Sequence, residues 1–390
     1  MQPLEAQHGE LHNHTRPILT FNASRTRCHL ETASPIRLIN SFVYCDEMTE
    51  ISITLQPEPG SASDQVAMSA NGQRLAKFTT GCRTVLLYGS QRELTDAHTD
   101  AIVAHNMYVR LLPEPFTGEL PFEWLRSQLS STEPDILALA LQYGPLQENL
   151  FDTGGVLLAG DASYGPLRED EDGMLSGPRV GRRRIGADFH DFMQVSWTAP
   201  DGELVMPRAE FAGCLDCSGF VRMVFGWRSG MPLSIAPQPG YLPRYSWHMW
   251  WNGPGRTIID AAEDETQTER DEAAWQASGW IASSAGVVRA EEEQKQAPIP
   301  DNQTAQQVWV QSPDLDLSLL APGDLVFFQR STKPRTNHVG VFMGLDDRGD
   351  YRFVHSRTGL NGPTFGDDHE SSILNGTAKF ARQFRGARRL

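Results

Sequence analysis

The sequence predicts an α+β protein. Three observations carry that prediction: short alternating strand-like runs between residues 35 and 115, an apolar helical run that opens at Cys217, and a strand–turn–strand pattern across residues 325–356. With 390 residues, 39% of them hydrophobic, the chain can fill the cores of two or three domains.

Residues 1–34 are polar and irregular, and the clustered His8, His12 and His14 read as part of a solvated tail rather than a metal site. Residues 35–115 read as a small β-rich accessory domain. Ile51–Leu55 alternates, and Val66–Ala70 meets a second run across Asn71-Gly72, a dipeptide that favours tight hairpin turns. Thr84–Tyr88 and Met107–Leu112 continue the pattern, and Pro113-Glu114-Pro115 reads as a linker into residues 116–390. There Phe122–Leu129 is amphipathic. Ser131–Asp135 resembles a helix start with Pro134 in the first turn, leading into Ile136–Tyr143. The acidic stretch within 260–303 reads as solvated, part helix and part flexible.

Chemistry concentrates in Asp216-Cys217-Ser218-Gly219-Phe220-Val221. A cysteine is a strong nucleophile as thiolate, and a helix N-terminus favours that anion through its unpaired N–H groups and positive dipole end. Phe220, Val221, Val224 and Phe225 have helical spacing, with Gly226 or Gly230 as a stop. Leu320–Phe328 then reads as a turn entering a buried strand. Asn337–Gly344 is a second strand with His338 at its entrance, and Tyr351–Ser356 a third carrying His355. The turn-rich Leu345–Asp350 suits a hairpin that sets the two histidines side by side, so that the second orients the first. Cys214 and Cys217 form a C-x-x-C pair, but a second such pair for zinc and a preceding βαβ context for redox work are both missing. Of the five cysteines, Cys28, Cys45, Cys82 and Cys214 could form two disulfides if Cys217 stays free.

Asp216–Val221, Pro322–Phe328, His338–Val341 and Phe353–His355, in that order, resemble the NlpC/P60 cysteine peptidases. The resemblance covers residues 134–230 and 313–390, with inserts at about 144–212 and 231–312. It implies a papain-like catalytic domain, a Cys–His–His triad and peptidoglycan stem peptides as substrate, cut between D-γ-glutamyl and a diamino acid. Carried over, Cys217 is the nucleophile, His338 the general base and acid, and His355 the orienting member. Asp216 positions the loop or caps backbone amides, and Ser218 contacts substrate. The family's aromatic loop before the cysteine is displaced here, leaving Trp197 in the tryptophan's place and Tyr164 as an alternative hydroxyl donor. Arg244, in Leu242-Pro243-Arg244, resembles the family's short motif after the nucleophile helix.

A net charge of −15 argues against nucleic acid, whose phosphates demand basic surfaces. No apolar run is long enough to span a bilayer, and Met1–Thr20 lacks a basic start followed by an apolar core. A cytoplasmic pool, or release by lysis or a non-classical route to the wall, is therefore expected. No cofactor or metal is expected. The alternatives are a papain-like amidase or acyltransferase using the same thiol, or a non-catalytic wall-binding scaffold. Competent residues at all three triad positions favour an enzyme.

Overall fold

Each strand-like run has an apolar face to bury, and in the computed structural model those faces close on two sheets and a layer of short helices. The protein is α+β. The structure describes residues 52–167, 183–260, 315–329, 336–366 and 371–390. All of these fall within one compact unit, Asn40–Leu390. The expected tail with His8, His12 and His14, the thiols Cys28 and Cys45, the charged Glu169–Asp172, and the stretch 261–303 lie outside the described residues.

Among the described residues the first sheet is a five-stranded antiparallel meander. It runs β1 (Ile53–Pro57), β2 (Asp64–Ser69), β3 (Arg74–Thr79), β4 (Thr84–Asp96) and β5 (Thr99–Leu111). The chain turns at Asn71-Gly72 between β2 and β3, where Ser69 N–H donates to the Gln73 carbonyl at 2.9 Å. Helix α1 (Phe122–Leu129) lays its buried Leu125 and Leu129 against Phe78 and Val85 of this sheet.

Helix α2 (Ile136–Leu141) starts just after the expected position. Pro134 precedes the cap instead of occupying the first turn, because the Asp135 carboxylate takes the Ala138 N–H at 3.0 Å. The same carboxylate accepts from Val109 N–H and from both terminal nitrogens of Arg92, each at 2.7 Å. Burial alone would raise this carboxyl, but the Arg92 hydrogen bonds and charge hold it below the usual carboxylate range.

The segments on either side of Pro113–Pro115 share one core. Leu86, Leu94, Val103 and Val109 belong to the same cluster as Leu137, Phe220 and Val341. His105 Nε2 lies 3.0 Å from the Met343 carbonyl. Asp96 accepts from Thr364 Oγ1 at 2.8 Å and from Phe365 N–H at 3.0 Å.

Among its described residues the stretch expected as the first insert forms two small hairpins, β6 (Leu150–Phe151) with β7 (Leu157–Ala159) and β8 (Trp197–Thr198) with β9 (Leu204–Val205), and helix α3 (Phe189–Met193) lies between them in the chain. Helix α4 (Cys217–Val221) continues as a π-helical turn over Arg222–Trp227, past Gly226, and α5 (Ser246–Asn252) follows.

The second sheet is antiparallel and six-stranded among the described residues. Its spatial order is β10 (Arg256–Asp260), β15 (Phe384–Arg389), β11 (Leu325–Phe328), β12 (His338–Leu345), β13 (Tyr351–Arg357) and β14 (Gly362–Thr364). Alternation along these strands divides the interior. Leu325, Phe327, Val339, Val341, Met343 and Val354 face the cluster built with α2 and α4. Val326, Phe328, Phe342 and Phe353 face the other way, onto Leu374, Phe384 and Phe380 of α6 (Lys379–Gln383). α4 packs across β12 and β13.

Among the described residues Cys82, Cys214 and Cys217 form no disulfide, so of the pairings left open by the sequence none joins Cys82 to Cys214. Cys82 Sγ donates to the Arg389 carbonyl at 3.4 Å, and burial pushes its thiol up to about 12. Cys214 sits in a small separate cluster with Ala187 and Phe211, donates to the Ala212 carbonyl at 3.6 Å, and is pushed up to about 11 by burial. Among the described residues no helix is long and apolar enough to cross a membrane.

Candidate active site

An aspartate fixes the start of the nucleophile helix. Asp216 Oδ1 accepts from Gly219 N–H at 2.7 Å and from Ser218 Oγ at 3.1 Å, so Asp216 is the N-cap and Cys217 the first helical residue. Cys217 retains 6% exposure. The helix lies unusually close to the loop before α3: a Cβ on Gly219 would collide with the Ala187 carbonyl oxygen and meet Asp188 Cα at 3.0 Å.

Arg244 closes this corner from the far side of the chain. It reaches Ser218 Oγ at 2.6 Å, Asp216 Oδ2 at 2.8 Å and the Gly186 carbonyl at 2.8 Å, and its Nε stands 3.5 Å from Asp188 Oδ2. Although burial opposes its charge, the Asp216 and Asp188 carboxylates raise the Arg244 guanidinium above its ordinary value. Asp216 therefore caps α4 without leaving an uncompensated negative charge beside the thiol. Ser218 is buried and held by Asp216 and Arg244.

A second group of charges, which the sequence reading missed, adjoins the first. Asp188 caps α3 in a reciprocal box with Asp191. Arg222 Nε donates to both Asp188 oxygens at 3.1 Å, while its Nη1 donates to the carbonyls of Ser234 and Leu242 at 2.6 and 2.9 Å. Arg208 clamps Asp191 through Nη2 at 2.6 Å and Nε at 3.2 Å. Burial pulls Asp188 upward, but the nearby Arg222, Arg244 and His190 outweigh it and set the carboxyl at about 2. Burial lowers both Arg222 and His190. The pattern Asp188-x-x-Asp191 ahead of apolar Phe192 and Met193 is the signal that could have announced this cap.

The two histidines meet. His338 Nε2 lies 2.6 Å from His355 Nδ1. The register pairs Val341 with Val354 and Phe342 with Phe353, so His355 falls opposite Gly340, one diagonal step from His338 on the same face. Gly340 leaves the needed room, since a Cβ there would press on the Phe353 ring at 2.9 Å and His355 Cβ at 3.1 Å. Both rings are fully buried against Phe380, with centroids 5.1 Å away for His338 and 4.6 Å for His355. That is the face carrying Phe328 and Phe353, whereas α4 packs on the opposite face with Val339, Val341 and Val354. The cysteine loop still lies over the same end of the sheet, because Ser356 Oγ donates to the Leu215 carbonyl at 2.5 Å. The structure thus joins the imidazoles to each other and sets Cys217 in the first turn of the helix that the Asp216–Arg244 corner holds.

Tyr164 is brought beside the cysteine loop through the backbone: Ser163 N–H donates to the Gly213 carbonyl at 3.0 Å, and Leu215 N–H donates to the Ser163 carbonyl at 2.8 Å. Its ring is buried. Trp197 lies instead in β8, 5.4 Å from Phe189 and from the Arg222 guanidinium, where it covers the second charge group. His248 sits buried in α5, and burial drops its imidazole to about 4. Among the described residues no group of three or more His, Cys, Asp or Glu side chains is arranged to hold a metal ion.

No family model, no curated protein and no solved structure matches the chain.

Proposed function

We propose that the chain is a cysteine peptidase of the NlpC/P60 kind, papain-like in its second half, that hydrolyses D-γ-glutamyl–diamino acid bonds in peptidoglycan stem peptides. The observation that carries this reading is a cysteine at the first position of an Asp216-capped helix, packed across the two strands whose imidazoles are linked at 2.6 Å. Cys217 sulfur attacks the amide carbonyl, and N–H groups of the first turn of α4 receive the oxyanion. One such donor contributes about 2.7–4 kcal/mol in comparable sites. His338 takes the thiol proton and returns it to the leaving amine. Water then attacks the thioester and restores the thiol. His355 orients His338.

The full burial of both imidazole rings favours a second reading, a non-catalytic wall-binding scaffold. An amidase would use the same thiol on the bond that joins the peptide to the sugar, and an acyltransferase would pass the acyl group to an acceptor other than water. Mass analysis of muropeptides after digestion separates all three. New D-glutamyl ends support the peptidase, loss of the whole peptide from the sugar the amidase, and intact muropeptides the scaffold. Cys217→Ala and His338→Ala are expected to abolish turnover and His355→Ala to leave part of it. Wild-type rates in either of the first two overturn the assignment.

A further inference from the structure

Ser372 stands behind the histidine pair, fully buried, on a short segment tied to the outer side of β13. Phe353 N–H donates to the Ser372 carbonyl at 3.2 Å, and Leu374 N–H to the Tyr351 carbonyl at 3.0 Å. Its hydroxyl oxygen lies 2.7 Å from the Gly366 carbonyl and 3.5 Å from His355 Nε2, the latter at the long end of hydrogen-bonding range. The Gly366 carbonyl is itself held by Arg357 Nη2 at 2.8 Å.

These contacts define a direction for every proton. A carbonyl oxygen only accepts, so the single proton of the Ser372 hydroxyl goes to Gly366. The oxygen then offers His355 Nε2 a lone pair, which selects the ring form protonated at Nε2. In that neutral form Nδ1 of His355 is an acceptor, and the 2.6 Å contact must take its proton from His338 Nε2. His338 is left with its basic lone pair on Nδ1, the nitrogen turned away from the relay.

We infer that Ser372 is a positioning residue that fixes the tautomers of His355 and, through it, of His338. The tautomer assignment stands on the contacts alone; its consequence for catalysis rests on the reading of His338 as the base for Cys217. Ser372→Ala deletes the hydroxyl without adding bulk, and Ser372→Thr keeps it.

The test is nitrogen-15 NMR of the imidazoles at pH about 8, where neutral rings predominate, with the pH dependence of Cys217 alkylation recorded on the same folded samples. Wild type and Ser372→Thr are expected to show both rings protonated at Nε2. Ser372→Ala is expected to lose that single signature at His355 and His338 and to shift the alkylation profile. A wild-type His355 protonated at Nδ1, or an Ala variant with unchanged ring signals, overturns the inference. Ring signals that change as expected with an unmoved alkylation profile support the tautomer relay and overturn His338 as the base for Cys217.

Discussion

At the scale of single residues, Arg244 carries the most consequence. It touches Asp216, Ser218 and the Gly186 carbonyl, and stands 3.5 Å from Asp188. Removing one partner of a buried ion pair costs about 3–5 kcal/mol, because the other charge stays buried alone. Arg244→Met is therefore expected to lower unfolding free energy by that amount in urea titration, and an unchanged midpoint would give Arg244 a substrate-facing role instead. Asp188 supplies a pH signature. Its folded value of about 2 is depressed from 3.8, so its contribution is complete above the higher value and disappears as pH falls through the lower one. Wild type should lose stability across that interval relative to Asp188→Asn, which carries no titrating group there. Parallel curves for the two proteins would contradict the Arg222–Asp188 pairing.

At the scale of elements, α4 is placed by close approach rather than by helix propensity. Gly costs a helix roughly 1 kcal/mol against Ala, so propensity alone predicts that Gly219→Ala stabilises. The Ala187 carbonyl stands where the new Cβ would go. The substitution is expected to lower the melting temperature and to displace the start of α4, changing the alkylation rate of Cys217. A raised melting temperature would mean that the helix does not lie so close to the Ala187–Asp188 loop. Cys217, at 6% exposure, is also expected to react far faster with a small alkylating reagent than with a bulky one of equal intrinsic reactivity. Equal rates would place the sulfur in an open cleft.

At the scale of the whole molecule, the β-meander and the sheet of histidine strands stabilise one another. Val103 and Val109 fill part of the core beneath α2 and α4, and Asp135 takes its ligands from both Arg92 and Val109. A fragment of residues 116–390 is therefore expected to lack a cooperative thermal transition by circular dichroism. A sharp transition matching that of the full chain would support residues 35–115 as a separate accessory domain.

The sequence by itself determined what short-range chemistry encodes. The Asn71-Gly72 turn, the amphipathic α1, the Asp216 cap with Cys217 behind it, and the hairpin that joins His338 to His355 each follow from neighbours within about twenty positions. Only the tertiary structure decided what depends on distant partners. It drew Asp188 and Arg222 together and Arg244 across to Asp216. It also kept Cys82 and Cys214 as separate thiols, placed Trp197 over Arg222, and sent the imidazoles to the sheet face away from α4. Period-two alternation assigns side chains to the same or the opposite face, but which face a helix then covers is set by the packing of residues far apart in the chain.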